Sequence, residues 1–157
     1  MGTSDAVSVR PTSAADFAEL RALFDDPSFH GWGGPSPLPD AVIRAKYLGA
    51  RLPEVECFLV LRHGEAVGLA QLHAADDRHS GGMDLILLAR VRGAGIGRAV
   101  VSILVERARS VHGWSRLTVD PEGPPCLVRL PPGPRTLHWL ALLTIVSACD
   151  DSSPALR

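Results

Sequence analysis

Asparagine is absent from this chain of 157 residues, and lysine and tyrosine occur once each, as Lys46 and Tyr47. Fifteen of the sixteen basic residues are therefore arginine. Arginine and alanine codons are GC-rich whereas lysine and asparagine codons are AT-rich, which points to a GC-rich bacterial genome. A charge excess of either sign is missing too, with 16 Lys and Arg against 17 Asp and Glu and a net charge of -1. That balance weighs against a chain built around nucleic-acid phosphates, which shows a basic patch or stripe; it leaves room for a local anion site. The three cysteines, Cys57, Cys126 and Cys149, form no close pair and no metal-ligand spacing, so neither a disulfide framework nor a metal centre is expected. No apolar run follows a basic segment near residue 1, so no secretory signal is expected. The longest apolar stretch, Leu137 to Cys149, is interrupted by His138, Thr144 and Ser147 and falls short of the roughly 20 residues that cross a bilayer. The expectation is a cytoplasmic protein, a monomer or homodimer with reduced thiols, that binds neither membrane nor nucleic acid.

What is present suits one folded domain. Hydrophobic residues make up 46% of the chain, enough at this length to bury about two thirds of the unfolded surface. Val7 to Arg10 alternates and stops at Pro11, as a short strand does. Thr12 or Ser13 can cap the helix that follows, with Phe17, Leu20, Leu23 and Phe24 at helical spacing. A Gly/Pro loop from His30 to Pro39 leads into a second helix, expected over Asp40 to Leu52 and ended by Pro53. Glu56 to Arg62 and Ala66 to Ala74 flank His63-Gly64-Glu65, a hairpin signature. Ala75 to Gly81 reads as a polar turn, with Asp76, Asp77, Arg78 and His79 a solvated tip, and Met83 to Leu88 as a buried strand. Ile96 to Val111 is an amphipathic helix whose apolar stripe is Ile96, Val100, Ile103, Leu104, Ala108 and Val111. Gly113 stops it, and Ser115 to Asp120 forms a strand halted by Pro121. The order β-α-α-β-β-β-α-β is that of an α/β or α+β domain.

Between the buried strand and the amphipathic helix lies Arg90-Val-Arg-Gly-Ala-Gly-Ile-Gly-Arg98. Glycines at 93, 95 and 97 lack a Cβ, so the backbone can take positive φ and approach a ligand closely. Amides at a helix start have no intrahelical acceptor, and the helix dipole adds positive charge there. Such a concavity holds phosphate or diphosphate, with Arg90, Arg92 and Arg98 adding mobile charge. The competing reading is a plain glycine turn with solvated arginines; the strand before it and the helix after it favour the anion site. A P-loop is excluded because no lysine is present in the turn. The dinucleotide pattern fails because the third glycine of the spacing would fall at Val100 and the motif comes late in the chain.

Arg90-x-x-Gly93-x-Gly95, continued by Ile96-Gly97, resembles the signature of the GNAT superfamily of N-acetyltransferases, and the element order agrees over residues 6 to 122. The resemblance implies a central mixed, mainly antiparallel sheet flanked by helices. It implies acetyl-CoA as cosubstrate, held by Leu87, Leu88, Arg90, Arg92, Gly93, Ala94, Gly95, Ile96, Gly97 and Arg98, and no metal. A finer resemblance, to aminoglycoside 6'-N-acetyltransferases and in part to siderophore-type lysine acyltransferases, rests on His30-Gly-Trp32-Gly-Gly34, Tyr47-Leu48, Gly68-Leu-Ala-Gln71 and Gly82-Met-Asp84. It implies a small-molecule amine as acceptor, Asp84 as the base beside it, and Trp32 in the acceptor wall. Gln71 and His73, alternating on one strand, are candidates for the same wall. The competing reading of Asp84 is a residue that merely caps the turn after Gly81-Gly82.

Beyond Pro121 the pattern changes. Seven of the thirteen prolines fall in the last 37 residues, and closely spaced prolines break helices and central strands. The resemblance implies an Asn after Asp120-Pro121, then a helix bearing a Tyr that protonates the leaving thiolate, then a last strand; this sequence supplies none of these. The expectation is therefore a body at 1–122 followed by an atypical, Pro-rich and poorly ordered segment at 123–157, out of frame or replaced, with the last helix-strand unit atypical or missing. Leu137 to Ala148 would then cover the strand edge or promote association. Two functions follow as alternatives: an N-acetyltransferase acting on an aminoglycoside-like or other amine (a siderophore-type lysine, a protein N-terminus), or a catalytically impaired CoA-binding domain.

Overall fold

The computed structural model describes residues 6–119 and the backbone of 126–129. The chain runs β1 (Val7–Pro11), α1 (Phe17–Asp25), α2 (Asp40–Tyr47), β2 (Val55–Arg62), β3 (Glu65–Ala74), β4 (Ser80–Leu87), α3 (Ile96–Ser110), β5 (Arg116–Val119) and β6 (Cys126–Arg129). Single 3-10 turns at Ala14–Asp16, Pro27–Phe29 and Ala89–Val91 join them. The strands lie in sequence order in one six-stranded sheet. β1 runs antiparallel to β2, from Val7↔Arg62 to Pro11↔Phe58. β5 lies parallel to β4, as a connection through a helix allows, and antiparallel to β6. This is the expected mixed α/β fold.

The described residues fall into two compact units, one comprising those up to Gln71 with Leu85–Arg92, the other Leu72–Asp84 with those from Gly93 onward. In the first, α1 and α2 bury Leu20, Leu23, Phe24, Ile43 and Tyr47, and β2 and β3 bury Phe58, Leu59, Val60, Val67 and Leu69. Each such side chain withdrawn from water contributes about 1.5–3 kcal/mol. Ser13 caps the first 3-10 turn and Asp16 closes a capping box with it. Thr12, the other candidate cap, is buried instead, its hydroxyl donating to the Tyr47 carbonyl at 2.6 Å. Asp16 takes two hydrogen bonds from the Arg10 guanidinium, at 2.7 and 3.0 Å. That guanidinium, helped by Ser13, holds the carboxyl below its usual range against the opposing effect of burial. His63 and Gly64 both have positive φ, 52° and 81°, the two-residue turn that tight hairpins favour.

In the second unit α3 buries Ile96, Val100, Leu104 and Ala108, one residue every four, with Val105 beside them. Two expected members of that stripe are corrected: Ile103 is 37% and Val111 60% exposed. A face read at every third and fourth residue drifts round a helix of 3.6 residues per turn, so 105 rather than 103 turns inward. Other limits move as well. α2 ends at Tyr47 rather than Leu52, and β4 begins at Ser80, so Gly81 and Gly82 are strand residues and not part of a turn. The tip at Asp76, Asp77, Arg78 and His79 is exposed as expected. β6 adds a strand where the prolines were read as excluding a central one; it pairs antiparallel with β5 over Arg116↔Arg129 to Val119↔Cys126. Asp120-Pro121 and the expectations for 130–157, including the Leu137 to Ala148 run and Cys149, lie outside the described residues.

Candidate functional site

Hydrogen-bonding supply and demand are unequal at the start of α3. Gly95, the residue before the helix, has φ 79°, and no side chain caps the first turn. The first helical amide bond runs from Ala99 N–H to the Gly95 carbonyl, which leaves the amides of Ile96, Gly97 and Arg98 to the helix terminus. Gly93 has φ 78°, and at both Gly93 and Gly95 the space a side chain would fill is open. These amides and the positive end of a four-turn helix dipole favour an anion.

The arginines of this turn are not equally free. Arg90 is paired with Glu65. Arg92 is half-buried, its Nε donating to the Leu87 carbonyl at 3.0 Å and one Nη to the Ser28 carbonyl at 3.5 Å. The expectation of three mobile charges is corrected accordingly: a guanidinium bonded to two main-chain carbonyls is a fixture. Arg98 is exposed on α3. Ahead of the turn, Leu87 and Leu88 are buried, and the Leu88 amide donates to the Val67 carbonyl. The β4–β5 ladder has its last rung at Met83↔Val119, the end of β5, while β4 runs on to Leu87.

Asp84 stands inside β4, which removes the reading of it as a turn cap. Its Oδ2 is 3.7 Å from His73 Nδ1, with side-chain exposures of 33% and 45%. That separation makes an ion pair when the imidazole is protonated and is too long for a direct hydrogen bond. Gly82 and Asp84 share one face of the strand, since side chains alternate. The His73 ring stands over Gly82, where even a methyl group would overlap it. On the opposite face Gly81 leaves the same kind of room for the buried Trp114 ring. The structure thus joins two predicted residues, His73 and Asp84, in the second unit.

Trp32 and Gln71 belong to the first unit. Trp32 stacks on Tyr47, with ring centroids 5.5 Å apart, and on Phe24 at 5.9 Å, and meets Phe29 edge-on at 6.1 Å. Gln71 is buried and its amide donates to the Cys57 sulfur at 3.0 Å. Cys57 in turn donates to the Lys46 carbonyl at 3.4 Å, just before the end of α2.

A family model described as the acetyltransferase (GNAT) family matches residues 17–125. The chain belongs to the GNAT family. No curated protein matches it. Among solved structures, AAC(6')-Ib in complex with ribostamycin and coenzyme A is similar, at 24% identity and TM-score 0.65 over 74% of each chain. The GNAT domain of S. lividans PAT is similar at 15% identity and TM-score 0.58, over 72% of this chain and 70% of that one. The spermidine/spermine N-acetyltransferase SpeG of Vibrio cholerae follows at 11% identity and TM-score 0.55, over 72% and 66%. At these identities the likenesses concern the fold.

Three parts of this GNAT chain escaped the sequence reading. Ser28, on which the sequence reading was silent, accepts the Ala89 amide on its hydroxyl at 2.8 Å. Glu65 occupies Arg90 from 25 residues away, a separation no local pattern reveals. The third part is the glycine platform beneath His73, for which period-two reading of 80–84 would have been the signal. Chemically the described parts offer an anion cradle and a half-exposed carboxylate beside an imidazole.

Proposed function

We propose that this GNAT chain transfers the acetyl group of acetyl-CoA to a primary amine of a small molecule, with an aminoglycoside-like polyamine as the first acceptor to test. The observation that carries the proposal is the uncapped start of α3 behind two open, positive-φ glycines. These fit a diphosphate: the first amides of the helix have no capping side chain, no side chain fills the space at the two glycines, and Arg98 adds charge. Gly93, Ala94, Gly95, Ile96, Gly97 and Arg98 would hold the diphosphate. Leu87, Leu88, Arg90 and Arg92 would contribute from the main chain that leads into the turn. The bound thioester supplies an activated acyl carbon; the chain's own task is to orient it and to manage protons.

Asp84 suits the second task. An amine is an ammonium at neutral pH, so it must be bound as a cation and then lose its proton before it can attack. A half-exposed carboxylate can do both, and His73 beside it can share the proton or compete for the charge. Asp84 takes the ammonium's proton directly or through water, the amine nitrogen forms the new C–N bond, the C–S bond breaks, and the second proton that the nitrogen sheds on becoming an amide goes to the departing thiolate. Trp32 and Gln71 are proposed for the acceptor side, where their fixed positions in the first unit would suit a preformed wall. Two similar structures support this reading: AAC(6')-Ib is seen in complex with ribostamycin and coenzyme A, and SpeG is a spermidine/spermine N-acetyltransferase.

The test is release of free CoA thiol from acetyl-CoA, dependent on an added amine. Asp84→Asn should lower kcat by about 10²–10⁴-fold, the usual weight of general acid–base catalysis, and leave CoA affinity unchanged. Equal turnover in the variant would remove Asp84 from the mechanism. One observation favours a second reading, the impaired CoA-binding domain. The single tyrosine, Tyr47, is only 3% exposed and stacked in the aromatic cluster, so it cannot serve as the acid that the family resemblance implies. Calorimetry with acetyl-CoA followed by an acceptor screen separates the two, because binding without turnover by any amine supports the second.

A further inference from the structure

Ser28 and Arg92 meet across a sequence separation of 64 residues, within the first unit. The Ser28 hydroxyl accepts the Ala89 amide at 2.8 Å, and the Ser28 carbonyl accepts an Nη of Arg92. Arg92 reaches back with Nε to the Leu87 carbonyl. The loop side of this contact is itself stiff. The Ser28 amide donates to the Asp26 carboxylate at 2.8 Å. The next residue, Phe29, is 1% exposed. Its carbonyl takes the Trp32 amide at 3.1 Å and its ring meets the Trp32 indole.

We propose that Ser28 and Arg92 form a bracket that couples the turn leading into the glycines to the loop carrying Trp32, so that a diphosphate gripped by the turn orders the acceptor loop. Both are positioning residues on this view, and Arg92 acts through its two carbonyl partners rather than on phosphate. The proposal rests on the acetyl-transfer reading only for the identity of the ligands. The physical warrant is that a polar chain and a packed aromatic pair join the two segments, and that main-chain atoms stand at both ends. A shift of Ala89–Arg92 therefore cannot leave Pro27–Phe29 where it was without breaking these bonds.

The test compares the wild type with Ser28→Ala, Ser28→Thr and Arg92→Lys, the last keeping the charge while losing Nε. Coenzyme A should slow amide exchange over residues 28–34 in the wild type and in Ser28→Thr but not in the other two variants. In turnover, Ser28→Ala and Arg92→Lys should raise acceptor KM by about fivefold or more, the lower range of measured couplings, with CoA affinity changed by less than about twofold. Variants that keep the exchange response, or that lose CoA affinity as much as they gain acceptor KM, overturn the bracket. Absence of CoA uptake by the wild type would sink the acetyl-transfer proposal by itself. The bracket is then judged on the unliganded chain. There Arg92→Lys must speed exchange at 28–34 relative to Val9 in β1, and unchanged exchange overturns it.

Discussion

Gly82 and Gly95 stand thirteen positions apart and are needed for opposite reasons. Gly82 has ordinary strand geometry and no room for a side chain, because the His73 ring occupies the space above it. Gly95 has ample room and an unusual backbone, with φ 79°. Gly81 and Trp114 repeat the first case, and Gly93 the second. One pair lets side chains come close; the other turns main-chain donors outward and keeps the approach to them clear. Glycine as a residue type says neither, and only its surroundings decide. In the terms proposed above, Gly82 serves the His73–Asp84 pair, and Gly93 and Gly95 serve CoA.

That division can be broken by substitution. The larger effect is expected at Gly95. Valine there is a β-branched residue in the left-handed region, at a backbone cost of about 1–2 kcal/mol, and it fills the open space. Losing one or two charge-assisted bonds at about 1.5–3 kcal/mol each should weaken CoA binding by roughly a hundredfold. Titration with adenosine 3',5'-bisphosphate should show the same loss, while the thermal transition moves only by the backbone cost. Retained affinity in Gly95→Val would detach the turn from the cosubstrate. Gly82→Ala should do the reverse with a smaller effect. Overpacking of this kind costs about 1–3 kcal/mol, moderated here because the half-exposed His73 can swing outward. The imidazole should leave Asp84, kcat should fall and its pH profile change, and CoA affinity should stay as it was. A Gly82→Ala chain with weakened CoA binding would show that the two sets of glycines are not separable.

The same contrast explains what the sequence discloses. The glycine turn proposed for diphosphate is legible because all its determinants are local: strand, glycine spacing and helix are contiguous between Met83 and Val111. The hairpin at His63-Gly64 is legible for the same reason. Ser28, Glu65 and Gly82 are not, since each takes its role from a partner brought in by the fold, Arg92, Arg90 and His73 respectively. Arg92 was read as mobile charge because its two carbonyl acceptors leave no trace in composition or period. Ile103 and Val111 failed for different causes: Ile103 lies at the margin of the buried stripe, and Val111 follows the last residue of α3. β6 was missed because neighbouring prolines dominate a segment in which only Cys126–Arg129 pairs.

The smallest expected effect supplies the control that any loss at Gly82 or Gly95 requires, a change in stability distant from the chemistry. Asp16 is buried and bound by Arg10 and Ser13, and its folded carboxyl titrates below the reference value of 3.8. Between that value and the lower folded one the unfolded chain binds more protons, so stability rises with pH across this window. The contribution is complete above about pH 4, near the ordinary Asp value, and is lost as pH falls through the folded value. Asp16→Asn should therefore cost about 1–2 kcal/mol at neutral pH, toward the low end for hydrogen bonds to a charge because Arg10 is half-exposed and screened. The gap between variant and wild type should close as the buffer is taken below pH 4, read from urea midpoints. A gap that persists at low pH would mean that asparagine disturbs the capping box by shape and not by charge. CoA affinity of Asp16→Asn at pH 7 should match the wild type, and if it does not, losses measured at Gly95 reflect general destabilisation and not the removal of an anion cradle.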